Sequence, residues 1–229
     1  MLRKLDIIYK LRTNPKIRKI AAAIYSLFGH NLTIIKGTNN QIITTGTFRK
    51  HCKFKVYGDN NIVKFSESAY AIHNVVIQIY GSNNLIQVGA NFASDGLSFS
   101  IENDNNKIIL GEKCHGGGNS EFAAIEGTSI ILGDDCMLSA NITIRTGDSH
   151  SVLNAITGER INKSKSVVIG EHVWIGNTAL IFKGTEIGSN SIVAGGSVVT
   201  GKKFPENCII GGNPAVVIKN GTNWCSERI

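Results

Sequence analysis

Between Val167 and Ile210 the apolar positions of the chain recur at every sixth residue. Ile169, Ile175, Ile181, Ile187, Val193 and Val199 mark the beat. The positions two residues earlier hold Val167, Val173, Ala179, Thr185, Ser191 and Ser197, which are mostly apolar or small. A six-residue period fits neither a helix nor the two-residue alternation of an ordinary strand run. Glycine follows the beat at Gly170, Gly176 and Gly188, where a chain turning a corner needs a residue free of the Cβ penalty. Each hexad therefore reads as a short strand plus a turn, and stacked hexads predict a parallel β-helix.

A looser repeat occupies the first half. Gly37-Thr38-Asn39-Asn40, Gly58-Asp59-Asn60-Asn61, Gly81-Ser82-Asn83-Asn84 and Asn103-Asp104-Asn105-Asn106 recur at spacings of 21, 23 and 22 residues, each leading into aliphatic residues such as Ile42-Ile43 or Ile108-Ile109. Asparagines stacked at one corner tolerate left-handed backbone and hydrogen-bond along the stack, which makes their expected role structural. The aliphatic-glycine signature at Ile108–Gly111 and Ile130–Gly133 joins both regions into one solenoid over residues 31–218, about nine coils. The beat stops for a polar insertion at 145–166, the kind of loop on a rigid scaffold that carries chemistry. A second, glycine-rich break covers Cys114–Ser120.

Composition narrows the class. The 229 residues, 42% hydrophobic, suffice for one continuous core, and the five cysteines contain no CxxC pair, which points away from a disulfide framework or zinc knuckle and toward a reducing cytoplasm. Of the net charge of +7, residues 1–30 carry +6 and the remaining 199 only +1. A body so nearly neutral is a poor nucleic-acid groove. The basic segment also carries Leu2, Leu5, Ile8, Leu11, Ile17, Ile20, Ile24, Leu27 and Phe28, and Pro15 divides it into two predicted helices. Two readings stay open: a cap on the exposed end of the β-helix, or an arm in peripheral contact with an anionic membrane surface. Its apolar stretch is too short to span a bilayer, and its charged lead is too long for a signal peptide. The expected organisation is a basic N-terminal helical cap or arm at 1–30, a β-helix domain at 31–219 and a tail at 220–229.

The runs Val173-Trp174-Ile175-Gly176, Ala194-Gly195-Gly196-Ser197-Val198-Val199-Thr200 and Gly212-Asn213-Pro214-Ala215 resemble the hexapeptide-repeat acyltransferases. That resemblance implies an all-β solenoid, a left-handed parallel β-helix, although the general crossover rule favours the opposite hand. It also implies acetyl-CoA as co-substrate, no metal, and a homotrimer with active sites between subunits. Within the family a loop histidine acts as general base, which here points to His150 in Thr146-Gly147-Asp148-Ser149-His150-Ser151. Imidazole, with an ordinary pKa of about 6.5, suits that task. The remaining histidines His30, His51 and His73 carry no assignment, and His172 reads as structural.

The same resemblance assigns further residues. The beat points Trp174 outward, where it contacts sugar or pantetheine, and the backbone N–H of Asn177, three places on, receives the oxyanion. Asp148 is a candidate for orienting His150, and Arg145 and His115 are candidates for acceptor contact. Gly195 and Gly196 are expected to lie against pantetheine, with Thr200, Lys202, Lys203, Lys219 and the Asn213-Pro214 turn at the nucleotide end. Val216 stands where the family often has a basic residue, which shifts phosphate contact onto those lysines. The stretch Asp148–Ser151 through Gly158–Asn162 resembles capsular and polysialic acid O-acetyltransferases, so the expected function is O-acetyl transfer to a bacterial surface carbohydrate. Alternatives are N-acetylation of an amino sugar, a small-molecule acetyltransferase, a β-helix zinc carbonic anhydrase using His115, His150 and His172, and a scaffold without catalysis.

Overall fold

The computed structural model describes residues 14–228. Three sheets enclose a parallel β-helix. The first face runs from strand Leu32–Lys36 to Val198–Val199, the second from Gln41–Ile43 to Lys203–Phe204, and the third from Phe48–Lys50 to Cys208–Gly212. Each face holds eight parallel strands, and the third gains a ninth, antiparallel strand, Ala215–Asn220, that closes the stack. The coils number eight rather than nine because those of the first half take 21 to 23 residues each, as the register Leu32↔Lys53, Lys53↔Val76 and Val76↔Ser98 shows.

The hexad beat is the inward face of the prism. All twelve positions, the aliphatic beat and the residues two before it, are buried, including the hydroxyls Thr185, Ser191 and Ser197. Earlier coils use larger side chains for the same purpose: Phe54, Phe65, Phe92, Phe99 and Phe122 are fully enclosed. Each such burial contributes roughly 1.5–3 kcal/mol before the entropy of ordering is subtracted.

The paired asparagines divide the work at the corner between first and second faces. Asn39, Asn60, Asn83 and Asn105 take positive φ of 53°, 57°, 60° and 64° and turn the chain. Their successors point inward and stack. Asn40 Oδ1 accepts from the Asn61 amide N–H and side chain, both at 3.0 Å, Asn61 serves Asn84 alike, and Asn84 serves Asn106 at 2.8 and 3.1 Å. Asn106 Oδ1 accepts the Thr128 N–H at 3.1 Å, and the Thr128 and Thr146 hydroxyls lie 2.6 Å apart. The polar column thus runs to the root of the inserted loop.

The stretch Cys114–Ser120 does not leave the solenoid. His115–Gly116 pairs with Met137–Leu138 on the third face, and Gly116 and Gly117, at φ 96° and 80°, widen the corner into the next strand. A Cβ at Gly116 would lie 1.9 Å from Leu138 O, so glycine there permits backbone contact that no other residue allows.

Helix α1, Pro15–Leu27, covers the first coil. Asn14 caps it, its Oδ1 accepting from Lys16 N and Ile17 N, and Pro15 starts it without needing a donor. Its inner side is largely polar: Arg18 donates to Ala69 O at 2.6 Å, Ser26 Oγ accepts from Arg49 N, and Tyr25 Oη lies 3.3 Å from His73 Nε2. Its outer side leaves Ile17, Ile20, Ile24 and Leu27 exposed, and Phe28 beyond it is 79% exposed. The basic and apolar residues expected to form a preceding helix, Leu2 to Arg12, lie outside the described residues.

Asn84→Ala removes the acceptor of the Asn106 N–H and the donor to Asn103 O in a dry corner. The expected loss is on the order of 3 kcal/mol of unfolding free energy, read from denaturant midpoints. Stability equal to wild type would show that the column is dispensable.

Candidate functional site

The inserted loop departs from the first face after Thr143–Arg145 and returns to the second at Val167–Ile169. Thr146, fully buried, roots it: its hydroxyl accepts the Ile125 N–H at 3.0 Å and its carbonyl the Lys165 N–H at 2.9 Å. Gly147 follows because a Cβ there would collide with Ser164 Oγ at 2.3 Å and Ile125 Cδ1 at 2.4 Å. Beyond the root, residues 152–161 form a small hairpin, bridged at Leu153↔Arg160 and closed by Asn154 N to Glu159 O at 2.8 Å. Its tip holds Ile156, 95% exposed, among exposed Val152, Leu153 and Ile161.

His150 sits between root and hairpin, with Ser149 before it at φ 63°. The ring is exposed and has no hydrogen-bond partner among the described residues, whereas its backbone is held on both sides. Its N–H donates to Asp148 O at 2.7 Å, and its carbonyl accepts from Asn162 Nδ2 at 2.7 Å. Asn162 ties the loop together: Nδ2 also reaches Asp148 Oδ2 at 2.8 Å, while Oδ1 accepts from Val152 N and Arg160 Nε. Lys183, on the next coil, donates to Asp148 Oδ2 and to Asn162 O.

The Asp148 carboxylate therefore faces Lys183 and Asn162, and the ring of His150 is not among its partners. Lys183 first, then Asn162, hold its pKa below the ordinary carboxylate value. A second anchor lies across the loop, where Glu126 binds Arg160 at 2.6 Å and Ser164 Oγ at 2.7 Å. Those hydrogen bonds lower the Glu126 pKa to about 2. Lys183, Asn162 and Glu126 escaped the sequence reading because their positions announce nothing about one another; they fix His150 and its loop through contacts made across 12 to 38 residues.

Trp174 lies on another side of the prism. It is outward on the third face, 37% exposed, in register with Met137 before and Ile192 after, and its Nε1 donates to Ser139 Oγ at 3.2 Å. Two coils earlier on the same ladder stands His115. Asn177 is exposed at the corner leading to the first face; its carbonyl accepts the Gly196 N–H at 2.8 Å and its own N–H has no partner among the described residues. Gly195 and Gly196 extend this corner, and Gly211, where an added Cβ would lie 3.2 Å from Ala194 Cβ, and Gly212 lead into the exposed Asn213-Pro214 turn.

The predicted site residues thus fall into two groups. Trp174, Asn177, Gly195, Gly196, Asn213 and Pro214 share the third face and its corner with the first. His150, Asp148 and Thr200 share the corner between first and second faces, where Asp148 and Thr200, with Asn162, Lys165 and Lys183, line an open cavity of about 580 Å³. Arg145 is engaged by Glu121 at 2.8 Å, Lys203 by Glu186 at 2.9 Å, and Lys202 reaches Ala215 O at 3.4 Å, while Lys219 stands exposed on the closing strand. Among the described residues no three His, Cys, Asp or Glu side chains converge as a metal set.

Known proteins share this arrangement of coils. The profile of the bacterial transferase hexapeptide family (six repeats) matches residues 166–201, and that of the hexapeptide repeat of succinyl-transferase matches 107–145. The polysialic acid O-acetyltransferase of Neisseria meningitidis is 34% identical over 150 residues, 65% of this chain and 68% of that one. The crystal structure of the polySia-specific acetyltransferase NeuO superposes with a TM-score of 0.78 at 26% identity, over 86% of this chain and 89% of that one. That of the polysialic acid O-acetyltransferase OatWY gives 0.61 at 30% identity, over 86% and 93%. Against four other curated relatives the matched stretch spans only 28–39% of the relative's own length. Hexad, inserted loop and whole-chain similarity agree: the chain belongs to the hexapeptide-repeat acyltransferases.

Proposed function

We propose that this protein transfers the acetyl group of acetyl-CoA to a hydroxyl of a bacterial capsular-type carbohydrate, with His150 as general base. The observation that carries the reading is an exposed, unpaired imidazole on a loop whose backbone is tied at Thr146, Asn162, Lys183 and Glu126. Such a base is free to meet substrate and is held against drift. The neutral ring accepts the hydroxyl proton as the oxygen attacks the thioester carbonyl carbon. The tetrahedral oxyanion is received by the unpaired Asn177 N–H, a donor fixed by its coil and needing little reorganisation. Collapse breaks the C–S bond, and the imidazolium returns its proton to the departing thiolate. No covalent enzyme intermediate forms.

His150 and Trp174 belong to different sides of one chain, which supports a site assembled between neighbouring subunits of a homotrimer. The exposed apolar hairpin around Ile156 is a surface suited to a neighbour. Exposed Gly195 and Gly196 leave open backbone for pantetheine. Lys163, Lys165 and Lys183 around Thr200 make a basic rim for phosphate, with Lys202, Lys203 and Lys219 nearby. Asp148 then acts on His150 through the loop backbone, and His115 and Arg145 border the acceptor path. The acceptor class follows the relatives, three of which act on polysialic acid by name.

A cytoplasmic site at the inner membrane face fits the basic first 30 residues and the outward aliphatics of α1. Among the described residues no helix is long and apolar enough to cross a membrane.

Free-thiol release from acetyl-CoA with a panel of capsular oligosaccharides, polysialic acid and amino sugars tests the reaction. His150→Ala is expected to lower kcat by about 10² or more. Unchanged turnover in that variant would remove His150 from the mechanism. Co-expressed His150→Ala and Trp174→Ala chains should regain part of the activity if subunits share the site, and none if each chain holds a whole one.

The loop anchors carry a pH sign. A carboxylate with lowered pKa contributes in full above its ordinary value and loses the contribution as pH falls through the folded one, here about 2 for Glu126. Wild type should keep its loop fixed at pH 5. Glu126→Gln should speed hydrogen exchange across 146–166 severalfold at pH 7, and equal exchange in both proteins would show that the Arg160 and Ser164 contacts do not hold the loop.

Vesicle sedimentation checks the membrane reading. Wild type should bind anionic phospholipid vesicles at low salt, and Ile20→Glu with Ile24→Glu should reduce binding about tenfold. Equal binding by both proteins would exclude α1 as the contact.

A further inference from the structure

The second tryptophan of the chain stands beside the first. After the closing strand the chain turns at Gly221, φ 68°, and runs back along the corner between second and third faces, with Thr222 N donating to Asn207 O at 2.9 Å. Two coils back it meets His172. The Trp224 indole stacks on the imidazole, centroids 4.2 Å apart and planes 6° from parallel. Hydrogen bonds run both ways: Trp224 Nε1 donates to His172 O at 2.8 Å, and His172 Nε2 lies 3.0 Å from Trp224 O. His172 Nδ1 lies 2.7 Å from Asp135 Oδ2, so each ring nitrogen faces an oxygen acceptor. His172 itself takes a left-handed backbone, φ 52°, at this corner.

This fixed geometry leaves the Trp224 ring 6.3 Å from Trp174, inclined at 51°. The two indoles form one angled surface on the third face, continued along the strand ladder by Met137 and His115. Position decides what the surface meets. The corner assigned above to the acyl donor, with Asn177, Gly195, Gly196 and Asn213-Pro214, lies on the C-terminal side of Trp174. Trp224 lies on the opposite side, toward the corner with the second face. A second aromatic there cannot wall the donor channel without crossing Trp174. It lines the side of Trp174 away from the donor corner.

We infer that the C-terminal tail is a clasp that brings Trp224 beside Trp174, and that the indole pair binds the ring of the acceptor carbohydrate by stacking. The inference rests on the proposed acetyl transfer to a carbohydrate. Flat sugar faces carry C–H groups that pack on indole, while their hydroxyls stay in water at the open side. His172 is a positioning residue: it touches the indole and never the substrate, and Asp135 holds it.

Two measurements test the wall, one independent of turnover. Binding of the capsular oligosaccharides and polysialic acid named above is read by quenching of tryptophan fluorescence, and steady-state kinetics are run at saturating acetyl-CoA. Trp224→Ala should weaken glycan binding and raise acceptor KM about tenfold, with kcat and the acetyl-CoA KM within about twofold. Trp224→Phe should recover most of the affinity, and His172→Ala should repeat the KM rise because the clasp opens. Thermal melting separates these effects from misfolding. Unchanged glycan affinity in Trp224→Ala, or a rise confined to the acetyl-CoA KM, would overturn the inference, as would the absence of glycan binding by wild type. Glycan binding that needs Trp224 without any acetyl transfer would instead sustain the wall and defeat the proposed reaction.

Discussion

A dry polar column at one corner of the prism governs how the rest of the molecule is placed. A coil that turns inward with an amide must satisfy that amide or lose on the order of 1–3 kcal/mol for each orphaned group. Asn40, Asn61, Asn84 and Asn106 satisfy one another only if each coil sits in register on the last. The column therefore sets vertical alignment, which apolar stacking alone would leave free to slip. Its end meets the inserted loop. Thr128 and Thr146 continue it to the point where the chain leaves the stack, so the loop bearing His150 grows from the best-specified corner of the solenoid.

Beyond that root the loop is held by charges rather than by burial. Asp148 with Lys183, and Glu126 with Arg160, are partly exposed pairs, and isolated pairs of that kind contribute little to stability. Here they do something else: joined through Asn162 they remove freedom from a segment of polar residues that has no core of its own. Constraint of position is what the general base proposed here requires, since misplacement of a reacting group lowers rate steeply. The same economy explains why the ring of His150 is left without a partner. A hydrogen bond to Asp148 would occupy the nitrogen or bias its proton, and the carboxylate is engaged elsewhere.

The hexad beat was legible because period six over one coil face is a local property, and it correctly gave inward positions, the outward Trp174 and the place of the insertion. The expected nine coils become eight because a coil of the second half takes 18 residues, whereas one of the first half takes 21 to 23, the extra residues going to the Asn-Asn corners. Cys114–Ser120 was read as a break for a related reason: three consecutive glycines signal departure from a strand, yet here Gly116 and Gly117 only let two backbones touch. What stayed invisible was contact between distant segments. Lys183 to Asp148 spans 35 residues and Trp224 to His172 spans 52, and neither pairing leaves a periodic trace.

These features share one design logic. A solenoid adds stability by nearest-neighbour stacking and so offers a rigid, repetitive surface with few concave places. Chemistry then has to come from what departs from the repeat. In this chain the departures are helix α1 at one end, the loop at 145–166 and the returning tail, and each attaches to the prism at a corner where strand pairing is already interrupted. Corners tolerate polar side chains and left-handed backbone, as Ser149, His172 and Thr178 show at φ 63°, 52° and 59°. A functional group placed there disturbs no ladder. In the proposed reaction the base, the oxyanion donor and the aromatic wall lie at different corners of one subunit, which is why that proposal has one prism pack against the next to bring them to one reacting atom.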